Sequence, residues 1–120
     1  MMKIQLKRVY DDFDENDGYR VLVDRLWPRG ISKARLHYDL WAKDITPSSK
    51  LRIWVHEDME GRWDDFAMAY RKELSQSSAV HKFTEQIKQY DKVTLLYASR
   101  ETKHNHAIIL KGYLEKLLSE

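Results

Sequence analysis

The sequence predicts a small single-domain α/β protein with a short, mainly parallel sheet covered by helices on both faces. Three observations lead there. Residues 19–24 and 93–98 are apolar on both faces, as strands covered from both sides are. Long stretches between and after them carry apolar residues at steps of three and four, the signature of amphipathic helices. The order strand, strand, helices, strand, helix is that of a layered α/β domain. At 120 residues the chain suits one domain, residues 1–120, since each of two would need about 50 at the least. No repeat, linker or low-complexity tract divides it.

Each element has its own local reason. Residues 4–9 partly alternate and predict a strand with one solvated face. Residues 10–18 form a polar loop holding Asp11, Asp12, Asp14, Glu15 and Asp17. The strand 19–24 follows. Pro28 forces Trp27 into an extended conformation, and Trp27-Pro28-Arg29-Gly30 fits a type I turn. Ser32 is placed to cap a short helix. Residues 36–45 stay open between helix and strand. Thr46-Pro47 predicts a helix start, with Thr as cap and Pro at the first helical position. Leu51, Trp54 and Val55 share a face there, and Trp63, Phe66, Ala67, Tyr70 and Leu74 define the next helix. After the serines of 75–78, Val80, Phe83, Ile87 and Tyr90 repeat the spacing. The last helix begins near Asn105 and turns Ile109, Leu110, Leu114 and Leu117 inward.

Composition removes several function classes. The chain has no Cys, so it has no disulfide, no Cys-ligated zinc, no iron–sulfur cluster and no thiol nucleophile. Lys plus Arg is 21 against 19 for Asp plus Glu, a net charge of +2. That falls short of the basic profile of a dedicated nucleic-acid module, so nucleic acid is the less expected partner. No apolar run approaches the roughly 20 residues of a membrane span. Lys3, Gln5, Lys7 and Arg8 interrupt any signal-peptide core. The expectation is a cytoplasmic protein without a cofactor and with no membrane partner.

Chemistry is expected on two loops. Asp24-Arg25-Leu26-Trp27-Pro28-Arg29-Gly30 leaves the carboxyl end of the second strand, where ligands of open parallel sheets bind. Arg25 and Arg29 carry planar forks suited to carboxylate or phosphate. In the structural alternative, Asp24 pairs with an arginine, Trp27 plugs the core and the rest is only a turn. The second loop, Ser99 to His106, joins a buried strand to a helix, and unsatisfied amides and the helix dipole there favour an anion. Ser99 and Asn105 would orient it, with Arg100 and His104 adding charge; Arg52 reaches the same crevice from its helix. In the alternative, Thr102 or Asn105 merely caps the helix. The loops meet only if their strands are parallel neighbours. His106 and His104 are the candidates for proton transfer, because imidazole titrates in the useful range.

Other constellations are weaker. His104-Asn105-His106 would bind a metal only if extended and joined by a distant ligand such as His56, and no metal site is expected. The acidic run from Asp12 begins like a calcium loop, but Asp17 stands where Gly belongs and Val23 where Glu belongs; a solvated loop is expected. The four tryptophans sit among apolar neighbours and read as core. The competing functional reading is a nucleic-acid or protein binding module without catalysis.

Lys7-Arg8-Val9-Tyr10-Asp11, the segment from Gly18 to Gly30 with its Asp-Arg-Leu-Trp-Pro-Arg-Gly core, Ile45-Thr46-Pro47-Ser48, Thr94-Leu95-Leu96-Tyr97 and Asn105-His106-Ala107 together resemble the YeaO-like branch of the domain-of-unknown-function 488 family. The resemblance implies a small prokaryotic cytosolic protein with a compact α/β fold, and no particular reaction. It also implies an absence. The broader family often carries Cys at the positions of Tyr97 and Asn105, so a thiol role does not carry over, whereas a polar-ligand role does.

Overall fold

The computed structural model describes residues 2–119. Four strands, β1 (Lys3–Arg8), β2 (Tyr19–Leu22), β3 (Leu40–Trp41) and β4 (Lys92–Tyr97), join in the order β1-β4-β2-β3. Every pairing is parallel, with Ile4 opposite Val93, Val21 opposite Leu95 and Leu22 opposite Trp41. The helices are α1 (Ser49–His56), α2 (Met59–Ser75), α3 (Ser78–Ile87) and α4 (His106–Ser119). The α/β class and the parallel sheet are as the sequence predicts. Among the described residues no helix is long and apolar enough to cross a membrane.

The pleat sends alternate side chains to opposite faces. Val21, Val23, Val93, Leu95 and Tyr97 meet residues of all four helices in one apolar cluster. On the opposite face Val9, Leu22 and Leu96 pack with Leu36, Trp27, Tyr38 and Trp41. The cover there is the irregular segment between β2 and β3, not a helix. Strands buried on both faces demand a cover, but an aromatic-rich loop supplies one as well as a helix does.

Local chemistry moved three boundaries. The first helix starts after Thr46-Pro47: Ser48 is the cap, accepting from the Leu51 amide at 3.2 Å. The Thr46 hydroxyl is engaged behind it, donating to the Lys43 carbonyl at 2.7 Å. The turn expected over 27–30 lies one residue later, on Arg29 and Gly30, with Gly30 at φ 78. Trp27 closes it by donating from Nε1 to the Ile31 carbonyl at 2.6 Å. Ser32 begins only a single turn, its carbonyl accepting from Arg35 and Leu36.

The acidic loop is a further correction. Asp17 is 3 % exposed, not solvated. Its carboxylate accepts from Gln5 at 2.9 Å, Lys7 at 2.9 Å, the Asp14 amide at 3.2 Å and the Arg20 guanidinium. The Thr94 hydroxyl donates to its carbonyl at 2.7 Å. Burial pushes the carboxyl upward, but the Lys7 hydrogen bond, the Asp14 amide, the Lys7 charge and Arg20 outweigh it and hold the group below its ordinary value. Gly18 follows at φ 69, where a Cβ would stand 2.3 Å from the Lys92 carbonyl oxygen. This polar knot fixes the entry into β2.

Candidate functional site

Because β2 and β4 are parallel neighbours, the segments that leave them emerge at the same end of the sheet. Two bonds tie those segments together. The Val23 amide donates to the Leu96 carbonyl at 3.0 Å, and the Ala98 amide donates to Asp24 Oδ2 at 2.9 Å. His106, the first residue of α4, reaches across to the same place. Its Nε2 lies 2.6 Å from the Val23 carbonyl oxygen and 3.3 Å from Asp24 Oδ1. A carbonyl only accepts, so Nε2 carries a proton and gives it to Val23. In the neutral ring Nδ1 is then the acceptor.

Helix α1 supplies the opposite wall. Arg52 and His56 are one turn apart and lie on the same side of it. The Arg25 Nε donates to the Pro47 carbonyl at 3.2 Å, fastening the β2 exit to the start of that helix. Between these walls is a cavity of about 220 Å³. Asp24, Arg25, Arg52, His56, Ser99, Asn105 and His106 form its polar part; Leu26, Val55, Met59, Trp63 and Phe66 form an apolar one. Partial desolvation, then the electrostatic influence of Arg52 and His106, lowers the pKa of the exposed His56. Among the described residues, two buried side-chain atoms have no hydrogen-bond partner, Asp24 Oδ1 and Arg52 Nε. Both residues line this cavity.

Five of the residues expected at the site are thus gathered: Arg25, Arg52, Ser99, Asn105 and His106. Arg29, Arg100 and His104 do not line the cavity. Arg29 is exposed in its turn, where its carbonyl accepts from the Tyr10 hydroxyl at 2.7 Å. Arg100 is exposed, and the exposed His104 rests its ring on Trp63 at 4.8 Å. The loop amides expected to receive an anion already have one. Glu101 accepts from the amides of Lys103 at 2.7 Å and His104 at 3.2 Å, and these bonds hold its carboxyl below the usual value. Asn105 is 2 % exposed and caps α4. Its Oδ1 accepts from the Ile108 amide at 3.1 Å and its Nδ2 donates to the Glu101 carbonyl at 2.8 Å.

The sequence offers His56 only as a distant metal ligand and Asp24 only as the partner of an arginine, not as walls of this cavity. Both had a signal. Placing Arg52 in the crevice places His56 there too, four residues on. Asp24 ends a buried strand, where a carboxylate needs partners that its sequence neighbours do not provide. Trp63 and Phe66 were visible only as a helix face.

The family described as the inactive DUF488-N3 subclade is matched over residues 3–120. The chain belongs to that subclade. Among curated proteins, the uncharacterized protein YeaO of Escherichia coli K12 is 45 % identical over 116 residues, 97 % of this chain and all of its own length. The uncharacterized proteins Rv3073c of Mycobacterium tuberculosis H37Rv and Mb3100c of Mycobacterium bovis are each 41 % identical over 112 residues, 93 % of both chains. The search of solved structures finds no match. In this member of the subclade both positions where thiols were at issue are structural: Tyr97 is buried at the end of β4, and Asn105 is the α4 cap. Among the described residues, no group of three or more His, Asp and Glu is placed to hold a metal ion.

Proposed function

We propose that the protein binds a small anionic molecule in the cavity at the carboxyl ends of β2 and β4, with Arg52 as the principal charge. The unpartnered, buried Arg52 Nε carries this reading. A buried donor without an acceptor costs about 1–3 kcal/mol, and an anion entering the cavity would remove that cost. Arg25 adds positive charge to the same space. The site is concave and largely apolar, as small-molecule sites are, whereas a nucleic-acid surface calls for an extended basic stripe. The reading is binding rather than turnover. The subclade is described as inactive, no thiol is present, and the His106 proton on Nε2 is committed to a backbone carbonyl. A cytoplasmic location agrees with a chain that uses no cysteine.

Isothermal titration with a panel of small carboxylates and phosphates tests this. Binding by the unaltered chain, weakened about tenfold or more in Arg52→Gln as expected for a charged hydrogen bond, supports the reading. Equal affinity in the two proteins overturns it.

A further inference from the structure

We infer that the ligand is a small acid that also carries a hydrogen-bond donor, an amine or a hydroxyl, close to its acid group, on an apolar body. The inference rests on the anion reading and starts from the other unpartnered atom. Asp24 Oδ1 is buried and accepts nothing. Its sister oxygen is occupied by the Ala98 amide at 2.9 Å. His106 Nε2 lies 3.3 Å from Oδ1, but its proton goes to the Val23 carbonyl at 2.6 Å. Oδ1 therefore needs a donor, just as Arg52 Nε needs an acceptor.

Both residues line one cavity of about 220 Å³, below the roughly 300–1,000 Å³ of drug-sized sites. One small molecule in that space can engage both residues. Inorganic phosphate near neutral pH still carries a hydroxyl donor, but it sets more negative charge against Asp24 and leaves the apolar wall of the cavity uncovered. An ammonium or hydroxyl beside a carboxylate answers both. Trp63, Phe66 and Met59 then receive the rest of the molecule, which favours an aryl or branched aliphatic body over a polar one. An amino acid and a hydroxy acid share this chemistry, and the two are distinguished by charge.

Titration calorimetry with four probes decides it: phenylalanine, 3-phenyllactate, 3-phenylpropionate, which lacks the donor, and phenethylamine, which lacks the acid. Phenylalanine or phenyllactate is expected to bind about tenfold or more tighter than phenylpropionate; whichever is tighter identifies the donor. In Asp24→Asn, the amide oxygen keeps the Ala98 bond and the amide nitrogen replaces Oδ1, so the preference should shrink or reverse. The comparison on the unaltered chain stands even if the variant fails to fold. Phenylpropionate binding as tightly as phenylalanine overturns the inference while leaving the Arg52 reading intact. Binding of none of the three acids, or phenethylamine matching phenylalanine, overturns the inference; the Arg52 reading falls only on equal affinity of the carboxylate and phosphate panel for the unaltered chain and Arg52→Gln.

Discussion

Replacing Arg52 by Met should make the ligand-free protein more stable. Arg52 Nε is buried without a partner, and such a donor costs about 1–3 kcal/mol. The residue as a whole is half-buried, so part of the guanidinium keeps its water and the low end applies, about 1 kcal/mol. Met retains an unbranched apolar stem, so the packing of the Arg methylenes is largely preserved. A gain of about 1 kcal/mol raises Tm by about 3–6 °C for a domain of this size. Urea unfolding and calorimetry of the ligand-free protein measure it. A second readout is specific to the site. The Arg52 charge helps to lower the His56 pKa, so Arg52→Met should move the His56 titration upward in an NMR experiment. A loss of stability greater than about 1 kcal/mol would show that Arg52 is a structural residue, because breaking a satisfied charge is what costs that much. So would an unmoved His56.

Two further predictions concern protons. His56 titrates below its ordinary value of 6.5, so the unfolded chain binds that proton more readily. Stability should be fully present above pH about 6.5 and fall as the pH drops through it; His56→Gln should flatten the fall in urea midpoints measured between pH 8 and 5, and an equal fall in the variant refutes the assignment. Asp17 acts in the same sense, at lower pH. Its folded pKa lies below 3.8, so its contribution is present above that pH and disappears as the pH falls through the folded value. Asp17→Ala leaves Arg20, 3 % exposed, without its carboxylate and should cost about 3–5 kcal/mol at neutral pH, read as a shift in urea midpoint; a loss under about 1 kcal/mol would contradict the burial of the pair.

What could be read in the sequence follows from where each signal lies. Tyr19-Arg20-Val21-Leu22 and Val93-Thr94-Leu95-Leu96 announce themselves because covered strands are apolar on both faces, and this was enough to expect the parallel pair on which the cavity depends. Strand β3 has two residues, too few for any period, and stayed hidden in the ambiguous stretch 36–45. Arg25 and Arg52 were legible from position alone: one leaves a strand end and the other lies on the helix that returns over it. Arg29 and Arg100 were not separable from them, since residue type says nothing of direction. The self-contained loop from Ser99 to Asn105 shows the limit most clearly. An anion was expected at its amides, and the anion is Glu101, a residue of the loop itself. Local carboxylate-to-amide bonds compete with any ligand, and only geometry tells which wins.

Strand β2 ends at both sides in a buried or half-buried carboxylate, and their contrast is the best reason to regard the cavity as a site. Asp17, just before the strand, has Gln5, Lys7, Arg20 and a backbone amide on its oxygens, and Arg20 spends its Nε on the His37 carbonyl at 2.6 Å. Nothing there remains to be satisfied. Asp24, just after the strand, has one oxygen paired and one bare, and the arginine across the cavity has a bare Nε. The same chain, with the same residue types on the same strand, completes its polar network where only the fold is at stake. Buried polar groups that lack partners are uncommon in native proteins, and these two line a single cavity with an apolar wall. A sequence selected for stability alone would have an easy remedy in a Met or Leu at position 52. That such a remedy has not been taken is what selection for a bound ligand predicts, and it makes the ligand-free stability of Arg52→Met and the affinity of Arg52→Gln two sides of one measurement: the first should rise and the second should fall.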